Sequence, residues 1–129
     1  MKVKEIGLSW IVVNDFEEAV KFYTDVVGLK LLESHPEFGW AELEGADGGA
    51  RLGIARVSPH EPHQPGQNAV VTFGVENIEK AKAEMVKKGA ICQGEIIVIP
   101  DHVKMQTIVD KDGNRFQLCE VLHHSCPHC

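Results

Sequence analysis

Two stretches of this sequence echo one another. Val13-Asn14-Asp15-Phe16-Glu17-Glu18-Ala19 leads to Gly28, and Val75-Glu76-Asn77-Ile78-Glu79-Lys80-Ala81 leads to Gly89. They align at an offset of about half the chain, each with strand-like sequence before and after it. In the first, Asp15 suits an N-cap and Glu18 completes a capping-box-like pattern. Phe16, Ala19, Val20, Tyr23, Val26 and Val27 follow on one helical face. Gly28 supplies the left-handed stop. In the second, Asn77 is the cap, Ile78, Ala81 and Met85 the buried stripe, and Gly89 the stop.

Strand patterns fill the remainder. The first half reads as strands over 6–13, 29–34, 39–44 and 51–57, the last two flanking a turn-rich loop at 45–49. The second reads as strands over 68–75, 90–99, 103–109 and 115–121, with Asp112-Gly113-Asn114 as the last tight turn. Prolines 59, 62 and 65 mark a linker. The expected fold is α+β: two βαβββ modules (1–57 and 68–122, joined by 58–67) that form one domain over 1–122. One module alone leaves a sheet face bare. Two side by side form an eight-stranded half-barrel cup with helices outside, and concave sites of that kind favour ligands. A His/Cys-rich tail, 123–129, follows.

Composition narrows the function classes. The 129 residues suit one domain, and a chain this long buries roughly two-thirds of its unfolded surface without staples. The formal net charge of -6 argues against a nucleic-acid partner. No stretch approaches the ~20 apolar residues of a membrane span, so no membrane partner is expected. Met1 to Glu5 lead straight into a strand pattern without an apolar signal region, and the expected location is cytoplasmic. In that reducing compartment the four cysteines are most simply thiols.

The paired motifs resemble a known family. Val13-x-Asp15-Phe16-Glu17-x-Ala19-x-x-Phe22-Tyr23, closed by Gly28-Leu29, is similar to the N-terminal signature of the vicinal oxygen chelate superfamily. Val109-Asp110-x-Asp112-Gly113-Asn114-x-Phe116-x-Leu118-x-Glu120 is similar to its C-terminal signature. That superfamily includes glyoxalase I, extradiol dioxygenases, and fosfomycin- and bleomycin-resistance proteins. The resemblance implies a cup that in most members holds a divalent metal through inward His, Gln or Glu side chains. Counting from the motifs, those positions carry Leu8, Gly53, Val70 and Gln117 here. Of these only Gln117 offers a donor, and a divalent metal needs about three or four. A shift by one residue brings in Ser9, Leu52 or Phe116, which is no better. The expectation is therefore no metal and no cofactor in the cup.

Strand alternation from Leu8 places Ile6, Trp10 and Val12 toward the cup, and Ile11, Val13, Phe116 and Leu118 beneath the helices. The candidate ligand-binding residues are Trp10, Trp40, Arg51, Thr72, Met105, Arg115 and Gln117. Trp10 offers an aromatic face to a ligand or packs in the core. Trp40 and Phe38 line the rim or plug the end. Arg51 meets an anionic ligand group or an acidic neighbour. Thr72 and Gln117 can orient a ligand by hydrogen bonds.

His60-Glu61-Pro62-His63 is one residue short of a metalloprotease motif, and its proline breaks the helix that motif needs; its two histidines are expected near the cup mouth, as acid, base or ligand or simply as part of a solvated linker. The glycines around residue 48 lack the Lys-Ser/Thr of a phosphate loop. In the tail, His124, Cys126, His128 and Cys129 are soft metal ligands, and Cys-Pro-His-Cys is also a dithiol spacing. The leading functional reading is a metal-independent small-molecule binder of the resistance or sequestration type, which the resemblance implies acts as a homodimer. The alternatives are a metalloenzyme similar to glyoxalase I (a lyase or isomerase) or to the dioxygenases, and a metal or redox sensor working through the tail.

Overall fold

The computed structural model describes residues 7–59, 63–68 and 70–122. The chain divides into two units, Met1–Asn68 and Ala69–Cys129. Each carries a four-stranded sheet and one helix, so the α+β expectation of two βαβββ modules holds. Among the described residues no helix is long and apolar enough to cross a membrane.

Unit 1 runs β1 (Leu8–Val13), α1 (Phe16–Lys21), β2 (Lys30–His35), β3 (Trp40–Gly45) and β4 (Gly48–Arg56). The sheet order is β1-β4-β3-β2, with β1 parallel to β4 and the other pairs antiparallel. Asp15 caps α1 as expected, accepting a hydrogen bond from the Glu18 N–H at 3.0 Å. The helix does not stay α to Gly28. After Lys21 it widens into a π-helical turn, Phe22–Val26, closed by the Val27 N–H on the Phe22 carbonyl at 3.1 Å. Thr24 supplies a reason: its hydroxyl donates to the Val20 carbonyl at 2.9 Å, competing with the backbone ladder. The wide turn still buries Tyr23. Residues 45–49 are also not all loop. Ala46 and Asp47 alone make the turn, and Gly48 and Gly49 (φ +84° and +93°) already belong to β4. Only glycine adopts that pair of angles easily in a strand.

Unit 2 runs β5 (Val71–Gly74), α2 (Ile78–Lys87), β6 (Ile91–Ile99), β7 (Val103–Val109) and β8 (Arg115–Val121), in the order β5-β8-β7-β6. Asn77 caps α2 by accepting from the Lys80 N–H at 2.9 Å. A second cap comes from far away in sequence: Glu120 on β8 accepts from the Ile78 N–H at 2.8 Å. The Asp110–Asn114 turn is tied just as tightly. Asp110 accepts from the Asn114 N–H (2.8 Å), the Asp112 N–H (3.0 Å) and the Asn114 side-chain amide (3.0 Å).

In both units one sheet face is apolar and covered. Ile11, Val13, Leu43, Leu52 and Ile54 are buried in unit 1, and Ile108, Phe116 and Leu118 in unit 2. The alternation expected for β1 and β8 therefore holds at Ile11, Val13, Phe116 and Leu118. One polar side chain breaks the pattern. Gln106, only 1% exposed, donates to the carbonyls of Gln93, Gly94 and Thr107, pinning the irregularity in β6. The cysteine expectation needs correction. Cys92 is free, but Cys119 is disulfide-bonded, so the four are not all thiols. Ile6 and the 123–129 tail lie outside the described residues.

Candidate functional site

The open face of the unit 1 sheet follows from strand register. Pairing sets Leu8 beside Arg51, Trp10 beside Gly53 and Val12 beside Ala55. It also sets Trp40 beside Ala55 and Glu42 beside Gly53, and then Glu33 beside Glu42 and His35 beside Trp40. Side chains in one register line share a face. The two tryptophans and the charged groups thus meet on the side away from Ile11, Leu52 and Ile54.

Gly53 is the centre of this arrangement. A Cβ built there would lie 2.5 Å from the Trp40 ring (Cη2), 2.9 Å from Leu8 Cδ1 and 2.9 Å from Trp10 Cβ. Real side chains do not approach so closely, so the Trp40 indole lies where any larger residue at 53 would have to be. The rings of Trp10 and Trp40 meet edge to face, centroids 6.2 Å apart at 65°.

Trp40 is anchored by its polar edge. Its indole Nε1 donates to Glu42 Oε2 at 3.0 Å, and Arg51 Nη1 donates to the other carboxylate oxygen at 2.9 Å. Arg51 also lies 3.9 Å from Glu33. The Arg51 guanidinium first, and then the Trp40 N–H, hold the Glu42 carboxyl below its ordinary range. Of the two roles expected for Arg51, the structure displays the acidic-neighbour pairing.

Beside these tryptophans lies a pocket of about 490 Å³. Trp10, Val12, Trp40 and Ala55 form its floor, with Phe38, Gly39, Arg56, Ser58 and His63 around them. His63 packs edge-on against Trp10, centroids 5.0 Å apart at 85°. Trp10 remains 40% exposed, well above what a core tryptophan shows. Phe38, 65% exposed, stands at the mouth. Arg56 is occupied elsewhere: its Nη2 donates to the Pro36 carbonyl at 3.0 Å and its guanidinium sits 5.6 Å from the Phe16 ring centre. Volume and lining match a site for a small organic molecule with a flat apolar part.

The remaining candidates lie in unit 2. Thr72 donates to Gln117 Oε1 at 3.3 Å, and Arg115 Nε donates to Gln93 Oε1 at 2.8 Å. Met105 pairs in register with Cys119 and is half-buried. The structure therefore brings Trp10, Trp40 and Arg51 together, and separately Thr72 with Gln117. His124, Cys126, His128 and Cys129 lie outside the described residues. Glu42 and Ser58 were not singled out from sequence, whereas His63, one of the two loop histidines expected near the cup mouth, does line the pocket. The Glu42 role needed the β3–β4 register, and the approach of His63 to Trp10 crosses the linker, so neither leaves a local signal.

The metal positions implied by the family resemblance do not fit a metal. Leu8 and Val70 carry no lone pair, Gly53 is roofed by an indole, and Gln117 already accepts from Thr72. Among the described residues no three His, Cys, Asp or Glu side chains come together as a cation would require.

Comparison with known proteins agrees with the fold. The family model described as "Glyoxalase/Bleomycin resistance protein/Dioxygenase superfamily" matches residues 3–118. The Bacillus subtilis (strain 168) protein YetH, itself uncharacterized, is 29% identical over 124 residues, covering 92% of this chain and 99% of that protein. A superfamily member from Sphaerobacter thermophilus superposes with a TM-score of 0.80 at 20% identity, covering 92% of this chain and 98% of the other. TnmS3, an antibiotic binding protein from Streptomyces sp. CB03234, superposes with a TM-score of 0.77 at 23% identity, covering 94% and 98%.

Proposed function

Since the chain belongs to the glyoxalase/bleomycin resistance protein/dioxygenase superfamily, we propose that it is a member that binds a small organic ligand in the unit 1 pocket without a metal. The observation that carries this reading is the Trp40 indole over Gly53. A position that the family resemblance assigns to a metal ligand is here filled by an aromatic wall of the pocket. The same substitution that removes a donor creates a stacking surface. Trp10, Trp40 and Phe38 supply apolar faces, His63 and Ser58 supply polar edges, and the Glu42–Arg51 pair holds the floor rigid. Rigid aromatic walls bind flat ligands at low entropic cost.

The antibiotic-binding description of TnmS3 supports a drug-like ligand class, and the family resemblance supports a homodimer. The test is a thermal-shift screen of polycyclic and glycosylated aromatic compounds, run with and without a chelator. A ligand at 100 times its dissociation constant adds about 2.7 kcal/mol of stability. The reading expects hits that the chelator leaves unchanged. Hits that vanish with the chelator would transfer the site to a metalloenzyme.

A further inference from the structure

The rim of the unit 1 pocket carries a charge that the protein does not neutralise. Arg56 lines the pocket, and no Asp or Glu among the described residues does. Its guanidinium lies along Gly39 on that rim: a Cβ built at Gly39 would come 3.2 Å from both Arg56 Cζ and Nε. The chain uses only part of its donor capacity. Nη2 donates to the Pro36 carbonyl at 3.0 Å, and Cζ sits 5.6 Å from the Phe16 ring centre. A guanidinium has five N–H donors, and among the described residues no carboxylate pairs with this one. Arg51 shows the contrast, 2.9 Å from Glu42 and 3.9 Å from Glu33. His63 resembles Arg56: its ring packs on Trp10, and neither ring nitrogen has a hydrogen-bond partner among the described residues. The Glu42 carboxylate that anchors Trp40 has both oxygens engaged, one by the Trp40 indole and one by Arg51. A cation in the pocket therefore meets a guanidinium and no open carboxylate, whereas an anion meets donors.

We infer that the pocket selects aromatic carboxylates: the flat rings lie against Trp10 and Trp40, the carboxylate takes the open N–H groups of Arg56, and His63 donates a further hydrogen bond. The inference rests on the pocket reading above and adds the charge of the ligand to it. Two forces oppose it. Indole faces attract cations, and the net charge of -6 repels anions. The first is offset by the guanidinium, a like charge on the same rim. The second is screened beyond about 8 Å in physiological salt. A planar fork that meets a carboxylate through charge-assisted hydrogen bonds acts at contact distance and decides the sign.

The test uses three probes of one shape and different charge on the full chain at neutral pH, with a chelator present: naphthoate, naphthalenemethanol and naphthylmethylamine. Quenching of tryptophan fluorescence gives their affinities. Naphthoate should bind about tenfold tighter than the neutral alcohol, the scale of a hydrogen bond to a charged group, and the amine should bind weakest. Arg56→Gln should abolish the preference for naphthoate while alcohol affinity stays within about threefold, the apolar floor being intact. Because Arg56 also holds the Pro36 carbonyl, a second measurement uses the unaltered protein: the Arg56 Nε–H signal in NMR should shift on adding naphthoate and stay in place with the alcohol. Equal affinity for the three probes, tighter binding of the amine, or an Arg56 signal indifferent to naphthoate would overturn the inference and leave the pocket reading standing. Failure of all three to bind would overturn the pocket reading and this inference with it.

Discussion

The open faces of the two sheets share one register and carry opposite chemistry. Where unit 1 pairs Trp10 with Gly53, unit 2 pairs Thr72 with Gln117. Glu42 beside Gly53 has its counterpart in Thr107 beside Gln117, and Trp40 beside Ala55 in Met105 beside Cys119. Unit 1 thus presents aromatic rings braced by a carboxylate. Unit 2 presents Thr72 bonded to Gln117 and the Arg115 guanidinium bonded to Gln93, with Met105 in place of a tryptophan. The covered faces, by contrast, are alike and, apart from Gln106, apolar. A repeat preserves what folding needs, and leaves the open positions free to take up different work.

That contrast can be broken by substitution. The largest effect is expected from Trp40→Ala, which removes a pocket wall. Ligand affinity should fall by about 30-fold or more, the scale of a buried aromatic anchor. Thr72→Ala and Gln117→Ala should change it by less than about threefold, and calorimetric titration with a screening hit compares the three. Next is Gly53→Ala, whose new methyl must displace the Trp40 ring. Overpacking of this kind costs about 1–3 kcal/mol, read by urea unfolding, and should shift tryptophan emission as well. Asp110→Ala should cost about 1–2 kcal/mol by leaving buried Asn114 short of its acceptor, without touching ligand affinity.

The smallest effect is electrostatic. Arg51 and Trp40 lower the Glu42 pKa, and Lys104 lowers that of Glu79. A carboxyl depressed on folding adds stability above its unfolded value of 4.5 and loses it as pH falls through the folded one. Glu42→Gln should therefore flatten the acid limb of the stability profile. Glu79→Gln should do so less, because the Glu79 side chain is 54% exposed against 16% for Glu42. Thermal melts across the acid range separate the two.

What could be read in advance was whatever is local. Asn77 announces α2, and the alternation in 103–109 and 115–121 gives both strands with the bounds observed. The Asp110–Asn114 motif that marks the family proves to be a turn builder, which is why it identified the fold better than the activity. What escaped depends on partners distant in the chain. Glu120 capping α2, Trp40 over Gly53 and His63 against Trp10 exist only once strands are paired. The π-helical turn escaped for a different reason. Apolar spacing through Val27 fits an α-helix, and the Thr24 hydroxyl that diverts the backbone carries no periodic signal.

The most direct check is a titration of metal-stripped protein with a screening hit, followed residue by residue through backbone amide NMR shifts. The expected result is saturable change centred on Trp10, Phe38, Trp40 and His63 with no divalent cation present. Shifts centred instead on Thr72, Gln117 and Met105, or seen only once a cation is added, would contradict the account.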